Sequence, residues 1–166
     1  MAVRATGSTE EELGDAVADR TSTPGSDGGV VDAAVTETDI DTVALTTAVE
    51  DARAGAVVTF CGVVRNHDHG RSVTGIDYVA HPSAQPVLER IATEFVARDG
   101  IHALAVRHRV GHLGIGGIAL FAAIASSHRQ EGFACAADLV DRIKAELPIW
   151  KKQFFTDGSH EWSQCP

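Results

Sequence analysis

From residue 30 onward the chain trades short apolar runs against mixed stretches. Gly55–Val64 and Gly117–Ala125 are almost unbroken apolar segments, short enough to predict buried strands. Further strands are predicted near residue 30, at Val73–Ala80 and at Ala103–Val110. Helices are expected near Thr38–Arg53 and over Ser83–Arg98. The Gly111–Gly117 segment reads as a turn rather than a phosphate cradle. Strands and helices alternate without a G-x-G-x-x-G or P-loop signature, which predicts an α+β sheet domain.

The longest helical pattern covers residues 127–147. At about 100° per residue, Phe133, Ala136, Ala137, Leu139, Val140, Ile143 and Leu147 share an apolar face. Glu131, Ala134, Cys135, Asp138, Asp141, Arg142 and Glu146 fall opposite. Lys144 breaks the division, because it projects between Phe133 and Ala137. An amine on a buried face is costly unless it snorkels to water or reaches a cleft. Pro148 ends the helix, since it lacks an N–H and clashes with the preceding turn. Ile149–Phe155 then reads as extended, able to fold Lys151 back toward Lys144.

Composition sharpens this picture. All three lysines, Lys144, Lys151 and Lys152, fall within nine residues, and every other basic charge outside His is an arginine. A lysine amine can lose its proton and act as base or nucleophile, whereas a guanidinium stays charged. Chance clustering on a solvated helix end is the bland alternative. At the other end of the helix, Ser127 with Gln130 fits a capping box, placing His128 and Arg129 in the first turn. Free backbone N–H groups, an Arg and a His would suit an anion there, although most such starts only cap a helix. A third basic segment, Arg65-Asn66-His67-Asp68-His69-Gly70-Arg71, follows the Gly55–Val64 strand. Loops of this composition are usually turns. His67 and His69 have no Cys or Glu partner at metal-site spacing, so no metal site is expected.

Three stretches taken together carry a resemblance: GAVVTFCGVVRNHDHGRSVTGIDY, RHRVGHLGIGG and SSHRQEGFACAADLVDRIKAELPIWKK. In this order they resemble the large, catalytic subunit of molybdopterin synthase, the MoaE family, over roughly residues 30–162. The resemblance implies an α/β-hammerhead-like domain with a mixed or antiparallel sheet and flanking helices. It also implies conversion of cyclic pyranopterin monophosphate to molybdopterin, with two sulfurs installed as a dithiolene. The sulfur donor would be a small ubiquitin-like subunit whose C-terminal Gly-Gly tail ends in a thiocarboxylate. A homodimer carrying two such subunits is implied, and no cofactor. The family's essential lysine falls on Lys144, and Lys151, which falls on a family binding residue, reads from its own position as the second catalytic amine. The family's other binding residues fall on Val63, Val64 and Arg65, on His128 and Arg129, and on Lys152 and Gln153. In such dimers His128 and Arg129 would reach the site from the neighbouring protomer.

The chemistry fits those residue types. A thiocarboxylate sulfur is already nucleophilic, so the protein must chiefly bring two anions together with preorganised cations. Lys144 would either move protons as ring oxygens leave or attack an acyl intermediate, and both roles stay open. Gln153 departs from the family, which commonly has Glu there. The chain also stops at Pro166, soon after His160-Glu161-Trp162, so a short C-terminal segment is expected.

Charge adds one exclusion. Fourteen Lys and Arg against 23 Asp and Glu give −9, and the first 32 residues hold seven acids and two bases. This balance argues against a general nucleic-acid binder. Residues 1–29 read as an acidic, disordered extension ahead of one domain at 30–166. No basic start leads into an apolar run, so a cytoplasmic protein without a membrane span is expected. Cys61, Cys135 and Cys165 show no C-x-x-C pairing and read as reduced thiols, Cys61 in the core and Cys135 on the polar face. Two rival classes remain: a noncatalytic module that binds the small subunit without turnover, and a metal-dependent hydrolase built on the histidines.

Overall fold

The computed structural model describes residues 29–164. The acidic extension, apart from Gly29, and Cys165 lie outside the described residues. Strands β1 (Val30–Thr36), β5 (Ile101–Arg109), β7 (Ile118–Ser126) and β2 (Ala56–Val63) form a four-stranded sheet in the order β1-β5-β7-β2. The β1–β5 pair is parallel, and the β5–β7 and β2–β7 pairs are antiparallel. Helices α2 (Ala84–Val96) and α3 (Arg129–Glu146) pack on one face and the short α1 (Thr42–Ala48) on the other.

The two-residue period of a strand explains this layering. On β5 and β7, Leu104, Val106, Leu120, Ala122 and Ile124 join the core beneath α2 and α3. The alternate residues Ala103, Ala105, Phe121, Ala123 and Ala125 pack with Ile40, Leu45 and Val49 at α1. A strand buried on both faces needs a continuous apolar run, which is what Ile118–Ala125 supplies. The α+β architecture expected from the sequence is therefore the one observed.

A second sheet holds β3 (His67–Asp68), β4 (Arg71–Ala80), β8 (Ile149–Phe155) and β9 (His160–Gln164) in that order, and β6 (Gly111–Gly114) also pairs with β4. Two expectations change here. Gly111–Gly114 is not a turn but a strand in register with Gly75–Tyr78, and the turn follows it at Gly116, whose φ is +80°. Arg65–Arg71 is not a plain loop either, because His67 and Asp68 pair with Ser72 and Arg71.

Helix boundaries also move. α1 is shorter than expected, opening where the Asp41 side chain accepts from Ala44 N–H at 2.9 Å. At α3 the capping box does not form. His128 is the cap residue and makes no side-chain cap bond, while Ser127 Oγ instead pairs with His102 Nε2 at 2.8 Å. Pro148 ends α3 as expected, with Leu147 already extended.

The facing of α3 differs from the hydrophobic projection. Its buried residues are Gly132, Cys135, Ala136, Leu139, Val140 and Ile143, while Phe133 and Ala137 are exposed. A Cβ on Gly132 would sit 2.6 Å from Ser126 Oγ and 2.8 Å from Val58 Cγ2. The helix thus approaches the sheet along its smallest residues. Cys135 is buried, and burial pushes its thiol up to about 11. Cys61 is exposed, because β2 is an edge strand whose outer face α1 does not cover. Both cysteine placements reverse the sequence reading. Among the described residues no helix is long and apolar enough to cross a membrane.

Candidate functional site: a cationic pocket between the sheets

The end of β2, the last turn of α3 and the first half of β8 converge on one cavity of about 310 Å³. Its apolar lining includes Phe60, Ile76, Leu120, Ile143, Leu147 and Ile149. Six residues singled out from the sequence meet there: Val63, Val64, Arg65, Lys144, Lys151 and Gln153.

Local structure explains why each arrives. Val64 is buried, and its backbone is clasped by the glycine turn: Val64 N–H donates to Gly117 O at 2.9 Å, and Gly116 N–H donates to Val64 O at 2.7 Å. That clasp fixes Val63 and Arg65 on either side. Lys144 extends from α3 between the buried anchors Ile143 and Leu147. On β8, alternation sends Lys151 and Gln153 toward the cavity. Lys152 goes to the opposite face, where its ammonium lies 5.2 Å from the Phe154 ring centroid and 5.8 Å from that of Trp162. Lys144 is exposed in the single chain, not set on a buried face as its projection implied.

His128 and Arg129 do not join the pocket of their own chain. They begin α3, and Lys144 lies fifteen residues after Arg129, about 22 Å along the axis.

The pocket also contains residues that sequence reasoning missed. Asp68 accepts from Arg65 Nη2 at 2.7 Å and from Gln153 Nε2 at 3.0 Å. The Gln153 bond holds its carboxyl down at about 2, helped by Arg65 and the nearby charges of Lys151 and His69. Tyr78 and His108 stack edge to face, 5.4 Å between centroids, on the cavity wall. His108 is 3% exposed, pairs through Nδ1 with Arg109 O at 2.8 Å, and burial pushes its imidazole down to about 4. It is therefore neutral at pH 7. Nothing in the local sequence marked these residues. Asp68 and Gln153 stand 85 positions apart.

The distribution of cations is selective. Arg53, Arg65, Arg71, Arg90, Arg98, Arg107, Arg109 and Arg142 each pair with a carboxylate. Among the described residues, the Lys and Arg side chains without a salt-bridging carboxylate are Arg129, Lys144, Lys151 and Lys152. Unpaired amines beside an apolar cavity make a receptor for an anion. No group of three His, Cys, Asp or Glu side chains positioned to hold a metal occurs among the described residues.

Such a pocket on an α+β frame is of the class suited to an anionic small molecule. Comparison narrows the class. The MoaE protein family model matches residues 35–146. The molybdopterin synthase catalytic subunit of Nostoc sp. is 37% identical over 115 residues, covering 68% of this chain and 70% of that one. The crystal structure of molybdopterin synthase from Staphylococcus aureus superposes with a TM-score of 0.73 at 30% identity, covering 79% of this chain and 96% of that one. A complex of subunits 1 and 2 of molybdopterin-converting factor from Helicobacter pylori shares the fold, with a TM-score of 0.60 at 18% identity over 82% of this chain and 89% of that one. The chain belongs to the MoaE family, the catalytic subunits of molybdopterin synthase, which are enzymes of molybdenum cofactor biosynthesis.

Proposed function

We propose that this chain transfers sulfur from the thiocarboxylate tail of a small ubiquitin-like subunit to cyclic pyranopterin monophosphate, with Lys144 and Lys151 as the amines at the reacting centre. The observation that carries this reading is the pair of lysines without a salt bridge on one cavity, where eight of the nine described arginines pair with a carboxylate. The thiocarboxylate sulfur attacks a substrate carbon, forming a carbon–sulfur bond as the ring oxygen leaves. Water then cleaves the acyl–sulfur bond and returns the tail as a carboxylate. Both reactants are anionic, so Arg65, Lys144 and Lys151 offset their repulsion, and an amine serves the proton transfers. Val63 and Val64 line the way in for a narrow Gly-Gly tail. The two-subunit relative from Helicobacter pylori supports a small-subunit partner.

His128 and Arg129 contribute from a second copy of the chain in a homodimer, giving a heterotetramer with two small subunits. Their distance from Lys144 within one chain supports that assignment, because a single protomer leaves Arg129 unpaired and remote from its own pocket. We place the reaction in the cytoplasm. Mixing the chain with thiocarboxylated small subunit and cyclic pyranopterin monophosphate should yield molybdopterin, read as its fluorescent oxidation product. Lys144→Ala should lower kcat by at least about a hundredfold while still binding the small subunit. A stable complex that makes no product would instead support a noncatalytic binding module.

A further inference from the structure

We propose that Asp68 is a positioning residue of this pocket: its carboxylate, gripped by Arg65 and Gln153, fixes how the pocket presents its donors to the anionic reactants. The inference rests on the synthase reading and deepens it.

Three bonds or contacts converge on one side chain. Asp68 Oδ1 accepts from Arg65 Nη2 at 2.7 Å and lies 3.3 Å from His69 Nδ1, and Oδ2 accepts from Gln153 Nε2 at 3.0 Å. Asp68 belongs to β3 and Gln153 to β8, strands that each pair with β4 but not with each other. The carboxylate thus ties the hairpin that follows Arg65 to the strand that carries Lys151. Gln153 is 5% exposed, so its amide has few alternative partners. An ionised carboxylate only accepts, so Gln153 must turn its NH₂ end toward Asp68. Asp68 also places one negative charge on a cavity wall shared with Arg65, Lys144 and Lys151, near enough to Lys151 to feel its charge.

This pair consists of one carboxylate and one amide, and its polarity is reversible. Exchanging the two groups preserves the hydrogen bond and the net charge, whereas either single change does not. In Asp68→Asn two amides face each other, and Arg65 keeps a carbonyl acceptor but loses its charged partner. Turnover should fall at least about tenfold while KM for the phosphorylated substrate holds or falls, because a negative charge has left an anion's pocket. In Gln153→Glu two carboxylates meet, so one must keep a proton to avoid repulsion. Its turnover should be impaired at neutral pH and recover as the pH is lowered. The double variant Asp68→Asn/Gln153→Glu restores the donor–acceptor pair and the net charge, with the new amide oxygen still accepting from Arg65, and should return to within about threefold of wild type.

The measurement is this double-mutant cycle in kcat and KM, beside calorimetric titration with small subunit ending in an ordinary Gly-Gly carboxylate. That titration needs no turnover, and the same pattern of impaired singles and a restored double is expected in its dissociation constants. Asp68→Asn with wild-type kinetics, or a double variant no better than the worse single, would overturn the proposal. If the cycle appears in binding while wild type makes no product, the positioning role stands and the synthase reading falls. Product from wild type with no cycle in either readout removes the positioning role alone.

Discussion

On the outer face of α3, Arg142 pairs with Glu146 and, at 3.3 Å, with Glu94 of α2, and Arg90 closes a ring through the same two carboxylates at 2.7 and 2.8 Å. Two residues after Arg142, Lys144 lines the cavity and makes no salt bridge among the described residues. The same helix turn therefore carries cations of two kinds. Guanidinium groups are planar forks that bridge two carboxylates, and they sit where charge is to be cancelled. Ammonium groups are compact point charges on flexible stems, and they sit where charge is to be kept for a ligand. The ring joins two helices; the amines serve a visitor.

That contrast can be broken most severely at the dimer. Lys144→Ala and Arg129→Ala protomers should each be nearly inactive alone. Mixed and allowed to exchange, they should recover about a quarter of wild-type product, since half the dimers are mixed and each holds one intact site. Recovery near zero would place both residues in one protomer's site and refute the shared arrangement.

A middle-sized effect concerns the group kept neutral beside the amines. Burial lowers His108 to about 4 in the fold, against 6.5 for an unhindered imidazole. Between those values the unfolded chain takes up a proton that the folded chain refuses, so stability falls as pH drops from 6.5 toward 4. The full loss is about 3 kcal/mol at 1.36 kcal/mol per unit. Urea melts of His108→Phe across this window should show a flatter decline than wild type. An unchanged slope would mean that His108 gains its proton without unfolding.

The smallest effect sharpens the contrast from the other side. Arg142→Gln opens the ring but leaves the pocket intact, so product formation should stay within about twofold of wild type. Any loss in melting temperature should be slight and should vanish in high salt, as expected for exposed pairs. A large drop in kcat would erase the distinction between the two sets of cations.

Much of the frame was legible because burial on both faces leaves an unmistakable record. Ile118–Ala125 has to be apolar throughout, and Pro148 has to end a helix. The facing of α3 was misread for a physical reason. It meets the sheet through Gly132, Cys135 and Ala136, residues selected for close approach, to which a hydrophobic projection gives little weight. Phe133, weighted heavily, is 64% exposed. Cys61 misled in the opposite way, since an apolar run cannot say that one face of an edge strand stays open. Lys144, Lys151 and Val64 could be picked out from their neighbours in the chain and the family resemblance. Asp68 could not, because what distinguishes it from any loop aspartate is a glutamine on a distant strand.

Strand β8 sets Lys151 inward, Lys152 outward and Gln153 inward through the pairing of Ile149–Phe155 with Val73–Ala80. Such a strand behaves like text read in a fixed frame. One inserted residue between Pro148 and Lys151 would still deliver a lysine to the cavity, since Lys152 stands next in line, but tryptophan and phenylalanine would take the flanking inward places. The doubled lysine would conserve the amine through such a frameshift and lose the glutamine. Length in this segment thus matters separately from its lysine content, because one added residue keeps an amine in the cavity yet removes the partner of Asp68.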